Sequence, residues 1–291
     1  MISTLMAMVV AVGVQATQPP QQNSPSQVPA ILKKSENNDP ISVADYELVW
    51  SDEFEGAALD AGKWFAETGD WGWGNNEWQN YTDGKNVSVG VGTLKITVKK
   101  MGAGQTAGDY TSARLNSKKS FTYGRFEIRA KIPQHKGNGL WPAIWMLGEG
   151  IRDKAMGWPL CGEIDIMEYV SYDPNTVHFN LHTQANNHTK GTNISSGPIK
   201  LESAEEEFHN YGVLWDENRI QLYLDDVSNV QLTLDRPQNH SQANWPFDKP
   251  HYFLLNLAVG GDWGGKQGVD DSIFPAAMEI DYVRVYQAKK K

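Results

Sequence analysis

Gly124-Arg125-Phe126-Glu127-Ile128-Arg129-Ala130-Lys131-Ile132 sets apolar residues at alternate positions with charged ones between them. Side chains of an extended chain point to opposite faces in turn, so this stretch predicts a strand with one face buried and one wet. The same period recurs in Thr93-Leu94-Lys95-Ile96-Thr97-Val98, in Arg219-Ile220-Gln221-Leu222-Tyr223-Leu224, and from Glu279 through Tyr286. Leu140 to Leu147 and His251 to Val259 are more continuously apolar, the pattern of strands covered on both faces. A long apolar stripe of helical period is missing; the one helical expectation is a short helix over Ser203 to Phe208, capped by Ser203. Many of the 27 Gly and 14 Pro fall between the strands, as turns require. The fold class that follows is all-β, a two-sheet antiparallel β-sandwich.

Working outward, 291 residues suffice for one large sandwich domain, expected over residues 46–287 and opening at Tyr46-Glu47-Leu48-Val49-Trp50. Residues 17–45 are rich in Gln, Pro, Ser and Asn and read as a disordered linker. Leu5 to Val14 is a short apolar run followed by Val14-Gln15-Ala16, so residues 1–16 read as a signal peptide cut before Thr17. The run is too short to span a bilayer, and no cysteine follows it to carry a lipid. No Lys or Arg precedes it, which departs from the usual leader pattern. A secreted or periplasmic protein without a membrane span is expected, and a monomer.

A net charge of -9 opposes binding to nucleic acid and suits a neutral ligand. Eleven Trp exceed what a core of this size needs, and a flat amphipathic ring suits the faces of sugars; the bland alternative is that they fill the sandwich. Cys161, the single cysteine, excludes an internal disulfide and reads as a buried small hydrophobe rather than a nucleophile.

The segment Gly162-Glu163-Ile164-Asp165-Ile166-Met167-Glu168 carries the chemistry. On a regular strand Glu163 and Asp165 share a face, while Glu168, five residues after Glu163, would point into the core. A one-residue β-bulge at Ile166 or Met167 restores the parity and brings Glu168 back beside its partners. Three crowded carboxylates repel one another, which raises the pKa of at least one and separates an ionised nucleophile from a protonated acid. Retention requires the two carboxyl groups about 5–5.5 Å apart, so the side chains must lean together. A solvated edge-strand face or a calcium site would also show alternating acids. Neither accounts for the aromatic flanks Trp141-Pro142-Ala143-Ile144-Trp145, Trp158 and Tyr169.

At these residues the chain resembles family 16 of the glycoside hydrolases, whose signature is Glu-x-Asp-x-x-Glu in its bulged form. Gly157 to Gly162 leading into Glu163 through Val170 resembles the laminarinase-type branch, as do Trp50-Ser51-Asp52-Glu53-Phe54, Asn75-Asn76-Glu77, Tyr123 to Glu127 and Leu140 to Met146. The likeness spans about Tyr46 to Tyr286. It implies a jelly-roll sandwich with an open cleft and endo-hydrolysis of β-1,3- or mixed β-1,3(1,4)-glucans, with no cofactor for catalysis. Glu163 matches the nucleophile and Glu168 the acid/base, with Asp165 hydrogen-bonding Glu163 to tune it. Trp141, Trp145 and Trp158 match cleft aromatics; Asn76, Arg114 and His182 match polar contacts to sugar. A structural Ca²⁺ is implied on the convex side, with Glu53, the carbonyl of Gly92 and Asp281 as candidate ligands. The stretch Thr183 to Gly191 departs from the Gly-rich pattern of the relatives, which leaves linkage preference open. Two rival functions share the fold: a non-catalytic β-glucan-binding protein, which would lack the acidic pair, and a hydrolase of another polymer such as a galactan.

Overall fold

The computed structural model describes residues 32–134 and 136–289, so the expected signal peptide lies outside the described residues. Two large sheets face each other. The eight-stranded sheet runs β12 (Ile194–Ser195), β11 (Thr176–His182), β10 (Glu163–Tyr169), β9 (Leu140–Gly148), β17 (His251–Val259), β7 (Arg114–Phe121) and β2 (Trp64–Glu67), with β13 (Ile199–Lys200) also on β11. The ten-stranded sheet runs β16 (Val230–Asp235), β15 (Arg219–Leu224), β14 (His209–Trp215), β8 (Gly124–Lys131), β18 (Ala276–Ala288), β5 (Thr93–Lys100), β6 (Tyr110–Ser112) and β3 (Gln79–Tyr81). Beside this path β1 (Tyr46–Asp52) pairs with β18 and β4 (Val87–Gly90) with β5; β3 and β6 pair in parallel, the other strand pairs antiparallel. The all-β sandwich expected from the alternation is the fold observed.

The opening stretch behaves as its period dictates on the inner side. Phe126, Ile128 and Ala130 of β8 are fully buried in one cluster with Ile144 and Met146 of β9, Ile164 and Ile166 of β10, and Phe253 of β17. Each such large side chain contributes roughly 1.5–3 kcal/mol by leaving water. On the outer side Lys131 and Lys95 flank Glu279 at 3.4 and 3.1 Å, a solvated charge ladder. Glu127 breaks the rule: it is buried, bonded by the hydroxyls of Tyr223 at 3.1 Å and Tyr282 at 3.0 Å. The strands β9 and β17 are central, neighbours of each other, and β17 is buried along its whole length, as its apolar run implies.

Two local expectations fail. Residues 203–208 form turns rather than a helix, and Ser203 Oγ lies 2.9 Å from His209 Nε2 instead of capping. Six residues offer too few backbone hydrogen bonds to offset helix nucleation. The expected linker does not extend to residue 45 as unstructured chain either. Residues 32–45 lie along the sandwich: the Ser35 amide donates to Thr233 O (2.7 Å), Ile41 to Gln221 Oε1 (2.8 Å), and Gln221 Nε2 to Asp39 O (2.9 Å). Composition correctly shows that this strap cannot make a core. The buried amides Gln221 and Asn186 instead satisfy its backbone, and sequence composition does not register such partners.

Candidate active site

Gly162 leads into β10 with a φ of 84°, a left-handed conformation, and a Cβ there would lie 2.6 Å from Pro246 Cγ. Glycine is therefore required to launch the strand. Along it, Asp165 pairs with Asn180 of β11 but Glu168 pairs with His178, while on β9 Asp165 pairs with Trp145 and Met167 with Ile144. One extra residue has entered β10 between Asp165 and Met167. Ile164, Ile166 and Met167 all point into the core, and Glu168 returns to the face of Asp165. The bulge lies where parity demanded it.

On that face the three carboxyls meet a converging set of donors. Trp158 Nε1 donates to Glu163 Oε2 at 3.0 Å. Trp141 Nε1 donates to Glu168 Oε1 at 3.2 Å and Asn180 Nδ2 to its Oε2 at 2.8 Å. His182 pairs across from Glu163; its Nε2 lies 3.1 Å from Asp165 Oδ2 and 3.7 Å from Glu163 Oε1. Asp165 Oδ2 is buried and accepts no hydrogen bond, so its contact with His182 is electrostatic. Asp165, expected to hydrogen-bond Glu163, instead sits against His182. The His188 amide donates to His182 Nδ1 at 3.3 Å, which turns Nε2 toward the acids.

Burial, then the charge of Asp165, pushes the Glu163 carboxyl up to about 8. Burial and then Glu168 hold Asp165 well above the usual range. Burial raises Glu168 too, countered by His182 and by the bonds from Asn180 and Trp141. The protons belong to the cluster, which holds fewer than three negative charges at neutral pH. Glu163 is the most accessible of the three, its side chain 14% exposed against 5% for Asp165.

Across the sheet the register continues the polar row. Glu67, Arg114, Asn256 and Ala143 are successive cross-strand partners, ending on Glu168. The Arg114 guanidinium is held by Glu67 at 2.5 Å and lies over the rings of Trp73 (4.9 Å) and Trp145 (4.8 Å). Trp145 Nε1 donates to Asn256 Oδ1 at 2.7 Å. Arg114, Trp141, Trp145, Trp158 and His182 are thus brought together with the acids. Asn76 stands exposed on a loop and donates to Asp262 at 2.9 Å. The Trp excess divides: Trp64, Trp215 and Trp245 are core, whereas Trp71, Trp73 and Trp263 join the sequence-predicted aromatics along the face. Asn180, Asn256, Trp73, Trp263 and His188 were missed; Asn180 alone carried a signal, alternating with His178 and His182.

The proposed calcium ligands fit a cation poorly. Arg284 grips Glu53 at 2.7 and 3.0 Å and holds its carboxyl below the usual range, and Arg129 pairs with Asp281. Neither of these two carboxylates is left unpaired. Gly92 stands in the turn joining β4 and β5. Cys161 is buried against Leu147, Tyr252 and Leu254, and burial raises its thiol to about 12, so it is inert.

Residues 74–284, which carry the three acids, Arg114, Trp141, Trp145, Trp158 and His182, match the model of the glycosyl hydrolases family 16. The chain belongs to that family. The resemblance seen in the acidic strand is thereby confirmed, and the chain is a family 16 glycoside hydrolase. It is 45% identical to the β-glucanase of Rhodothermus marinus, over 83% of this chain and 85% of that protein. The crystal structure of laminarinase from Flavobacterium sp. UMI-01 superposes with a TM-score of 0.74 at 42% identity, covering 83% of this chain and 100% of that one. A keratan-sulfate endo-1,4-β-galactosidase from Sphingobacterium multivorum is 34% identical, over 85% of this chain and 56% of that protein. Family 16 membership requires no cofactor for the chemistry, and the substrate is a polysaccharide.

Proposed function

We propose that the chain is a retaining endo-hydrolase of β-1,3- or mixed-linkage β-1,3(1,4)-glucans. One observation carries the reading: the bulge in β10 sets Glu163 and Glu168 on one face, each anchored by an indole N–H, beneath a row of aromatic rings. A binding protein has no need to place two buried carboxyls there. In the first half-reaction the cluster reacts from the state with Glu163 ionised and the proton on Glu168: Glu163 attacks the anomeric carbon while Glu168 gives that proton to the departing glycosidic oxygen. In the second, Glu168 takes a proton from water, which displaces Glu163 from the sugar. Asp165 and His182 position Glu163 between them. The polar row crosses the sheet from Glu67 to Glu168, so a chain lying along it has contacts well away from the acids, which supports internal cleavage.

Product profiles from curdlan-type glucan, laminarin and mixed-linkage glucan test this. Ladders of internal products with the first anomer β support retaining endo action on glucans. Release from galactans alone would transfer the function to that rival polymer, towards which the galactosidase relative points.

Export with release is part of the proposal, supported by the Leu5 to Val14 run, and an N-terminus other than Thr17 on the secreted protein would remove that cleavage site. A monomer is proposed with it, checked by sedimentation. Calcium at Glu53, Gly92 and Asp281 would have to compete with two arginines; a melting midpoint that rises with calcium over EDTA is the observation that would assign it.

A further inference from the structure

The strap and the edge of the cleft sheet meet at a cavity that the catalytic row does not use. Its volume is about 370 Å³, and it is lined by Leu32, Lys33, Lys34 and Glu36 of the strap and by Asn193, Ile194 and Ser195 at β12. Pairing places two of its polar lining residues on the cleft side, while Ile194 between them turns to the core. Ser195 is the direct partner of Asn180, and opposite residues of an antiparallel pair share a face. Asn180 points to Glu168, so Ser195 points to the cleft side as well. Asn193 lies on the same side, its Nδ2 donating to Asn180 Oδ1 at 3.0 Å. A line of contacts therefore runs from Glu168 through Asn180 and Asn193 to the cavity.

The strap is fastened there by a built clasp. Fully buried Asn186 accepts the Leu32 amide at 2.9 Å and returns Nδ2 to Leu32 O at 3.1 Å. Thr233 and Gln221 hold the following residues. Lys33, Lys34 and Glu36 are thus presented by a tethered segment. Above the apolar floor of Leu32 and Ile194, two ammonium donors, one carboxylate and the polar Asn193 and Ser195 make a donor–acceptor mix suited to sugar hydroxyls.

We propose that this cavity is a distal subsite for the leaving-chain side of the polysaccharide, built jointly by the N-terminal strap and β12. The inference rests on the retaining glucanase reading. β12 lies two strands from β10, about 10 Å at the usual strand spacing, too far for the sugar next to the cleaved bond. It would meet a unit further along. Aromatic rings are absent from its lining, so it works by hydrogen bonds and its contribution is modest.

The test compares two laminari-oligosaccharides cleaved at the same bond, one ending just beyond it and one extended by further units on the leaving side. The Lys33→Ala/Lys34→Ala double variant and Glu36→Ala are made in the full chain; all three side chains are exposed, so folding is preserved. The ratio of kcat/KM for the long over the short substrate should fall about three- to tenfold, with the short substrate unchanged. An unaltered ratio, or equal loss on both substrates, overturns the subsite. Wild-type failure to cleave either oligosaccharide would instead overturn the glucanase reading, so the two failures are separable.

Discussion

Glu163→Gln is expected to bring glucan hydrolysis down to background while oligosaccharide binding largely persists. The amide keeps the shape and can still engage the Trp158 indole, but it cannot form the glycosyl ester. Unchanged hydrolysis would remove Glu163 from the nucleophile's role. The same variant should be more stable than the parent, and increasingly so with pH. The folded carboxyl, at about 8, lies above its unfolded value of about 4.3, so its favourable contribution is fully present below about pH 4 and is lost as pH rises through 8. The loss is on the order of a few kcal/mol, tempered by the 14% of the side chain still facing solvent. The gap in melting temperature between variant and parent should widen from pH 5 to about pH 9. A constant gap would mean that the parent carries its charge without penalty.

Glu168→Ala is expected to cost about 10²–10⁴-fold on polysaccharide, the usual range for a lost general acid/base. Its signature is selective. An aryl glycoside with a good leaving group needs little protonation, so its first half-reaction should survive and the enzyme should stall as the glycosyl ester. Azide needs no general base, so it should restore turnover and give the β-glycosyl azide. Rescue with the α-product, or no rescue alongside intact first-step bursts, would contradict the assigned role. Truncation also leaves Asn180 and the Trp141 N–H without their carboxylate, so folding is checked by melting the same sample.

Much of the acidic strand is legible in the chain itself. Parity alone required an extra residue between Asp165 and Glu168, because the acid would otherwise point into the core with Ile164 and Ile166. Alternation in Gly124 to Ile132 was sufficient for a sheet with one wet face. Where the period misled, the cause was a partner distant in sequence. Glu127 reads as solvated until Tyr223 and Tyr282 close over it. Glu53 and Asp281 read as cation ligands until Arg284 and Arg129 claim them. The strap reads as linker until Asn186 and Gln221 bond its backbone.

The sequence by itself determined the strand period, the acidic signature and the need for a bulge, since these depend on neighbours a few residues apart. Tertiary structure alone decided that Arg114 lies between Trp73 and Trp145, that His182 faces Asp165 while its other nitrogen is held by the His188 loop, and that residues 32–36 reach the edge of the cleft sheet. Those contacts join segments separated by tens to well over a hundred residues. Their strength comes from burial and from satisfied polar groups, which are properties of the assembled surface rather than of any stretch of chain.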